Sequence, residues 1–477
     1  DENTVSFAGG NGTKENPYQV STAKQLDAVR NDMDAYYIQT ADIDLSGIEW
    51  DPIGSQTTDG KTESFSGSYN GNGFRIKNLT ISEKQNSNMN LGLFANNTGR
   101  LESICVENCA ISADLAEFAT VTSNYPCIGI VVGYSEEQVR NCNVSGIIHV
   151  ENAYNCVVGG IVGYGNCRDS RNDAIIVVEG MSYSSRAGNV ACGGIVGHTD
   201  SINGAISNCV NNGNITVSGD TFVYCGGISG EYGAISNCVN YGTIYGKTIA
   251  WNGWSSFAAN CNVGGIVGAT SSDTNYNCVN FGTVTATKSV SKGDCYAGGI
   301  AGWNGYYNSG TITDCYNLGS AISADSSAGR IAGATFTNKT KAYSAGATLV
   351  NGSVPTNTGA SSIQGKTLSV AQMRKAVLPI LKKVGGEWSY QDESEEPTPV
   401  KGQHGSFKVP NDEWSFRNYG VSSIPLTISD RYNLLNDLDD SERRFWESKI
   451  DSEAGGQCYG MSNAALLVNQ SALKLTR

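Results

Sequence analysis

The sequence predicts a mainly β protein. Its expected architecture is a right-handed parallel β-solenoid (β-helix) of about eight repeats of roughly 34 residues, with an N-terminal cap and a small, mostly α C-terminal segment. Two repeated phrases and one compositional bias predict it. Gly-Gly-Ile-Val-Gly occurs at Gly159–Gly163, Gly193–Gly197 and Gly264–Gly268. Looser copies begin at Leu91, Gly129, Gly226, Gly298 and Gly329, and successive copies start 30 to 38 residues apart. A period in that range marks stacked repeats, each too small to bury its own apolar face. A second phrase, Cys-x-x-x-Gly-x-Ile, follows at Cys142–Ile148, Cys209–Ile215, Cys238–Ile244 and Cys278–Val284, with a variant from Cys315. The chain has 58 glycines against nine prolines, which suits many tight, regular turns.

Residues 1–95 read as the N-terminal cap and first coils. Phe7-Ala8-Gly9-Gly10-Asn11-Gly12-Thr13 precedes Pro17-Tyr18-Gln19-Val20. Thr22-Ala23-Lys24-Gln25 is a capping-box pattern that opens a short helix through Leu26 and Val29. A solenoid needs atypical end repeats to cover its open strands.

Residues 96–350 are the repeats proper. Asn189 to Gly197 is rich in small and β-branched residues. A polar turn, a short strand around Ile206 to Val210, Asn212-Gly213 and a strand at Asn214 to Val217 follow. Short strands between Gly/Asn turns describe one coil. A propeller fits the period less well, because no fourth strand or Trp-Asp blade signature is present. The Gly-Gly pairs fit positive φ or close backbone approach. Asn208, Asn237 and Asn277 fit a ladder along the rod or bonds within their own turns. These repeated positions read as structural.

Residues 351–390 read as a C-terminal cap. A helix is expected within Thr367 to Val384 on Leu368, Val370, Met373 and Val377, ended or kinked by Pro379. Residues 391–402 contain Gln391-Asp392-Glu393-Ser394-Glu395-Glu396-Pro397-Thr398-Pro399, an acidic, proline-bearing linker. Residues 403–477 form a separate, partly helical segment.

Charge excludes some functions. A net charge of −13 and 16% charged residues, with no Lys/Arg run, argue against nucleic acid as a partner. No apolar run is long enough to span a membrane. The start at Asp1 suits a mature exported chain, so the expected location is extracellular or at the cell surface. The chain is expected to be monomeric.

Fourteen of the fifteen cysteines fall in the solenoid, and they can be grouped one pair per repeat. The pairs are Cys105 with Cys109, Cys127 with Cys142, Cys156 with Cys167, and Cys192 with Cys209. Cys225 with Cys238, Cys261 with Cys278, and Cys295 with Cys315 complete the set. Disulfides and buried thiols both remain open. With no Cys-x-x-Cys and only His149, His198 and His404, no metal is expected, and each histidine reads as a surface or turn residue. Asp42 and Asp44 read as turn caps. No cofactor motif is present.

The run from Phe7 to Phe94, with Asp42-Ile43-Asp44-Leu45-Ser46 and the later glycine phrases, resembles bacterial GLUG-repeat surface proteins. That resemblance, over about residues 1–350, implies a secreted or wall-associated β-helix. Some such proteins continue into a zinc metallopeptidase, but His-Glu-x-x-His is missing here. Gly455-Gly456-Gln457-Cys458-Tyr459-Gly460-Met461, followed by an Ala/Leu run, resembles the nucleophile region of papain-like cysteine peptidases. The resemblance implies Cys458 as nucleophile, and a thiolate at a helix N-terminus is stabilised there. The family's oxyanion-hole Gln, six residues earlier, is Ser452 here, which leaves Gln457 as the nearby alternative. The family's His and Asn would lie beyond Arg477, so these 477 residues alone are expected to be inactive.

Three functions follow as expectations. The first is a surface binding or adhesive module for an extracellular glycan or protein, with Trp251, Trp254, Trp303, Tyr306 and Tyr307 as contact candidates. The second is a targeting module on a cysteine endopeptidase, and the third is a wall spacer. A pectinase-like glycosidase is weaker, because no spaced acid/base carboxylate pair stands out.

Overall fold

In a computed structural model, the described residues are 5–390 apart from 56–62, 84–89, 117–124, 182–187, 200–204, 221, 250–259, 271–272, 291–292, 305–309, 335–340, 357 and 360–361. The chain divides after Tyr390, and the candidates Gln457 and Cys458 lie outside the described residues. The expected solenoid is present. Equivalent strands of successive repeats pair in parallel and in register, giving three stacks. The first runs from Asn90–Leu91 to Ser327–Gly329 in eight strands, and the second from Phe94–Asn97 to Ala301–Asn304 in seven. The third reaches from Tyr18–Val20 to Lys366–Leu368.

The chain of one coil is more broken than the sequence suggests. Asn189–Gly193 and Val196–His198 supply the first two stacks. The strand expected at Ile206 to Val210 splits into Ala205–Ser207 and Val210–Asn211, and Ile215–Gly219 completes the coil. Asn208 causes the split. Its φ of 56°, matched by 52° at Asn237 and Asn277, is left-handed backbone, which asparagine tolerates better than most residues.

The repeated phrases meet at a buried ladder. Asn172, Asn211, Asn240, Asn280 and Asn317 stack in register with no solvent exposure. The Nδ2 of Asn172 donates to Asn211 Oδ1 at 2.8 Å, Asn211 to Asn240 at 2.8 Å, Asn240 to Asn280 at 2.8 Å, and Asn280 to Asn317 at 2.9 Å. The same amides also donate to the carbonyl of their own turn, at Ala174, Gly213, Gly242 and Gly282. The second glycine of each Gly-Gly pair faces this ladder. A Cβ at Gly160, Gly194, Gly227, Gly265 or Gly299 would lie 2.4–2.6 Å from the facing amide carbon. The ladder residue is therefore the asparagine three positions after each corner asparagine. The corner asparagines make a looser, part-exposed row, with Asn277 Nδ2 3.4 Å from Asn237 Oδ1.

Both ends are covered. Ala8 and Gly9 hydrogen-bond the free edge of the first strand at Gln19. Thr22 caps Ala23–Asp27 as expected, and Leu26 and Val29 enter the core. At the other end the second glycine of the phrase becomes Arg330, only 1% exposed. Its guanidinium donates to the carbonyls of Gln364 and Ala345, at 3.0 and 3.1 Å, and to Thr367 Oγ1 at 2.8 Å.

The C-terminal helix spans Val370–Val384, capped by a Ser369/Gln372 box and ended by Gly385 at φ 67°. It does not stop at Pro379. Met373, Val377, Ile380 and Leu381 anchor turns on both sides of the proline against Val239, Val279, Tyr316 and Leu318. The helix thus covers the side of several coils. Tyr241 Oη accepts from the Glu387 N–H at 2.8 Å, and Trp388 meets Phe281 edge-on at 6.0 Å.

Two stability outcomes follow. Asn240→Ala removes bonds to both ladder neighbours and leaves buried partners unpaired, so it should destabilise by about 3 kcal/mol, with Gly227→Ala also strongly destabilising. A loss below about 1 kcal/mol in urea unfolding would contradict the ladder. Asn275 sits in a column between Ile235 and Ile312, fully buried, and neither side-chain amide atom has a partner. Asn275→Ile should raise stability by about 1–2 kcal/mol in the same measurement.

Candidate functional site

One position varies in kind while its surroundings stay fixed: the residue after the last glycine of the phrase. Tyr134, Tyr164, His198, Glu231, Ala269 and Trp303 occupy it in successive coils, in register along the second stack. Tyr134 stacks on Tyr164 with centroids 5.2 Å apart and 19° between planes, and Tyr164 on His198 at 4.9 Å and 19°. Tyr232 closes the row edge-on, 5.3 Å from His198. The coil spacing of about 4.8 Å brings equivalent rings into contact. His198 Nδ1 lies 3.2 Å from Glu231 Oε2, and both side chains are largely shielded. Both faces of the Tyr164 ring are covered, so it can offer a ligand only its edge.

Tyr164 and Trp303 also pack on a small apolar cluster of Cys127, Val157, Ala191, Tyr224 and Ala269, separate from the main core. Of the aromatic contact candidates only Trp303 is described, and it is half-buried on this cluster. Trp251, Trp254, Tyr306 and Tyr307 lie outside the described residues. Tyr134, Tyr164 and His198 were not among the expected contacts. Their signal was the residue type immediately following each glycine phrase.

The fourteen described cysteines are thiols, thirteen of them buried. Their neighbours lie in adjacent coils, not within the repeat as the pairwise grouping has it. Cys192 is in register with Cys225, and Cys261 with Cys295. The Cys209 N–H donates to Cys238 Sγ at 3.4 Å. Each thiol of the corner column donates to the carbonyl two residues back: Cys142 to Arg140, Cys209 to Ser207, Cys238 to Ser236, Cys278 to Tyr276 and Cys315 to Thr313. Ser170 makes the same bond to Arg168 at 2.7 Å and receives the Cys142 N–H. A hydroxyl substitutes for the thiol, so the column's role is donation to a corner carbonyl. Burial pushes the Cys127 and Cys156 thiols up to about 12. Such thiols are poor nucleophiles at neutral pH.

No protein-family model matches the chain. A Gly-rich membrane protein, by name, of Evansella cellulosilytica is 35% identical over 147 residues, 29% of this chain and 15% of that protein. Halomucin of Haloquadratum walsbyi is 32% identical over 166 residues, 32% of this chain and 2% of halomucin. The chain thus spans a small fraction of these curated relatives. Among solved structures, one assigned to an immunoglobulin A1 protease from Bacteroides ovatus is 20% identical, with a TM-score of 0.38, over 78% of this chain and 90% of that one. An IgA1 protease structure is 14% identical, with a TM-score of 0.41, over 89% of this chain and 28% of that one. At such TM-scores neither likeness supports a conclusion about this chain.

Cys238→Ser keeps the donor and should be tolerated better than Cys238→Val, by about 1 kcal/mol in urea unfolding. The raised thiols also set a pH window. The folded state holds them neutral, so their effect on stability is nil below the unfolded value of 9.0. Stability should fall as pH rises from there toward about 12, while the rate at which a thiol reagent titrates the native protein rises.

Proposed function

We propose that the described part of the chain is a binding module displayed at or outside the cell surface, which reads an extended glycan or protein ligand along the column at the end of each glycine phrase. The observation that carries this reading is the contrast within each coil. The scaffold positions repeat, while this position alternates among Tyr, His, Glu, Ala and Trp on one line. A purely structural spacer gives no reason for a row of half-buried rings with a His198–Glu231 pair in its middle. The name of one relative, a Gly-rich membrane protein, accords with a surface location. Absence of any helix long and apolar enough to cross a membrane among the described residues is compatible with it.

We further propose that residues 403–477 supply part of a cysteine-peptidase-like segment with Cys458 as nucleophile, delivered to its substrate by the solenoid. This rests on the Gly-Gln-Cys-Tyr-Gly-Met motif alone. A thiol-directed peptidase probe that labels the longer protein, and fails with Cys458→Ala, would support it. Equal labelling of both would sink it.

Binding to arrays of glycans and extracellular proteins tests the module. The full chain should retain at least one ligand, and Tyr134→Ala combined with Tyr164→Ala should weaken it at least tenfold at a temperature where circular dichroism shows the variant folded. No ligand at all, or one indifferent to the double substitution, would favour the spacer.

A further inference from the structure

We propose that His149, Glu151 and Glu179 form a binding site for a divalent transition-metal ion of the zinc type, on the surface of two adjacent coils. His149 and Glu151 belong to the strand Asn143–Ala153, and Glu179 to Ile175–Gly180, which pairs with it in parallel. The imidazole stands between two carboxylates, with Nδ1 3.8 Å from Glu151 Oε1 and Nε2 3.7 Å from Glu179 Oε2. One ligand atom from each of the three side chains lies within 4.8 Å of the other two. Zinc takes imidazole nitrogen and carboxylate oxygen at about 2.0–2.2 Å, which places tetrahedral ligand atoms about 3.4 Å apart. These side chains are one-third to two-thirds exposed, so small rotations close the set and leave a position for water.

Electrostatics gives an independent reason. Asp114 is the register partner of Glu151 in the preceding coil, so carboxylates from three coils gather on this face. Like charges opposite one another on neighbouring strands destabilise a sheet. Three carboxylates elsewhere on the rod do have cationic partners: Asp42 has Lys77 at 2.9 Å, Glu107 has Arg75 at 2.7 Å, and Asp314 has Lys341 at 3.0 Å. Among the described residues, no Lys or Arg is ion-paired with Asp114, Glu151 or Glu179, and the imidazole is the one base in the group. A dication supplies the missing charge and ties one coil to the next. Ile147 and Ile175, in register and 42% and 47% exposed, form an apolar shoulder beside it.

Cobalt(II) is the probe, because its spectrum reports its ligands. Titrating the full-length chain should give one ion per chain with visible d–d bands and no intense sulfur-to-metal charge transfer. His149→Ala and, separately, Glu179→Gln should each weaken binding at least tenfold, leaving the metal-free melting temperature unchanged. Zinc should compete the cobalt away and raise the melting temperature of the parent chain only. Failure to bind cobalt, thiolate-type spectra, or binding indifferent to His149→Ala would each overturn the proposal. None of these results bears on the glycine-phrase column, whose test uses different residues and ligands.

Discussion

The structure depends on a line of buried carboxamides. A parallel rod of this kind must hide a turn in every coil, and each turn carries backbone groups that water cannot reach. The asparagine ladder answers this requirement directly. One amide supplies a bond to its own turn and a bond to the next coil, so the corner is satisfied and the coils are held in register together. A carboxamide is bulky, and the backbone opposite must give way. That is why the facing residue is glycine in five successive repeats, and why the coils cannot slip by one residue without stranding every member.

Around that line the remaining repeated positions fall into place. Ile and Val fill the core, the corner asparagines accept left-handed backbone, and the following thiol or hydroxyl bonds the corner carbonyl. With those demands met, other positions of each coil are left to vary, and two of them form distinct columns. One varies toward apolar residues where the C-terminal helix lies, as Tyr241, Phe281 and Leu318 do. The other is the phrase-end column, where rings and charged groups alternate. Constancy in the first set is what makes variation in the second set informative about function.

Much of this was legible in the sequence. The period fixed the number of coils, and the Gly/Asn punctuation located most turns. The capping pattern at Thr22 marked the first helix, and the second starts at Val370, three residues later than its expected start. Legibility failed where meaning depends on what lies one coil away. Asn208 and Asn211 look alike in a linear chain, and only stacking makes one a corner and the other a buried rung. Pro379 signalled an end to its helix, but contacts from coils about 60 to 140 residues earlier hold the turns on either side. Cysteines that look paired within a repeat are neighbours between repeats. His149, Glu151 and Glu179 share a face because the coil brings residues nearly 30 positions apart side by side.

The ladder can be observed without altering it. With asparagine selectively labelled with nitrogen-15, the exchange of side-chain amide protons with deuterated water can be followed by NMR. The side-chain NH2 groups of Asn172, Asn211, Asn240 and Asn280 each give both protons to buried acceptors, so their signals should persist long after those of exposed asparagines have gone. Exchange of these four as fast as that of exposed asparagines would contradict the ladder as the element that holds the coils in register.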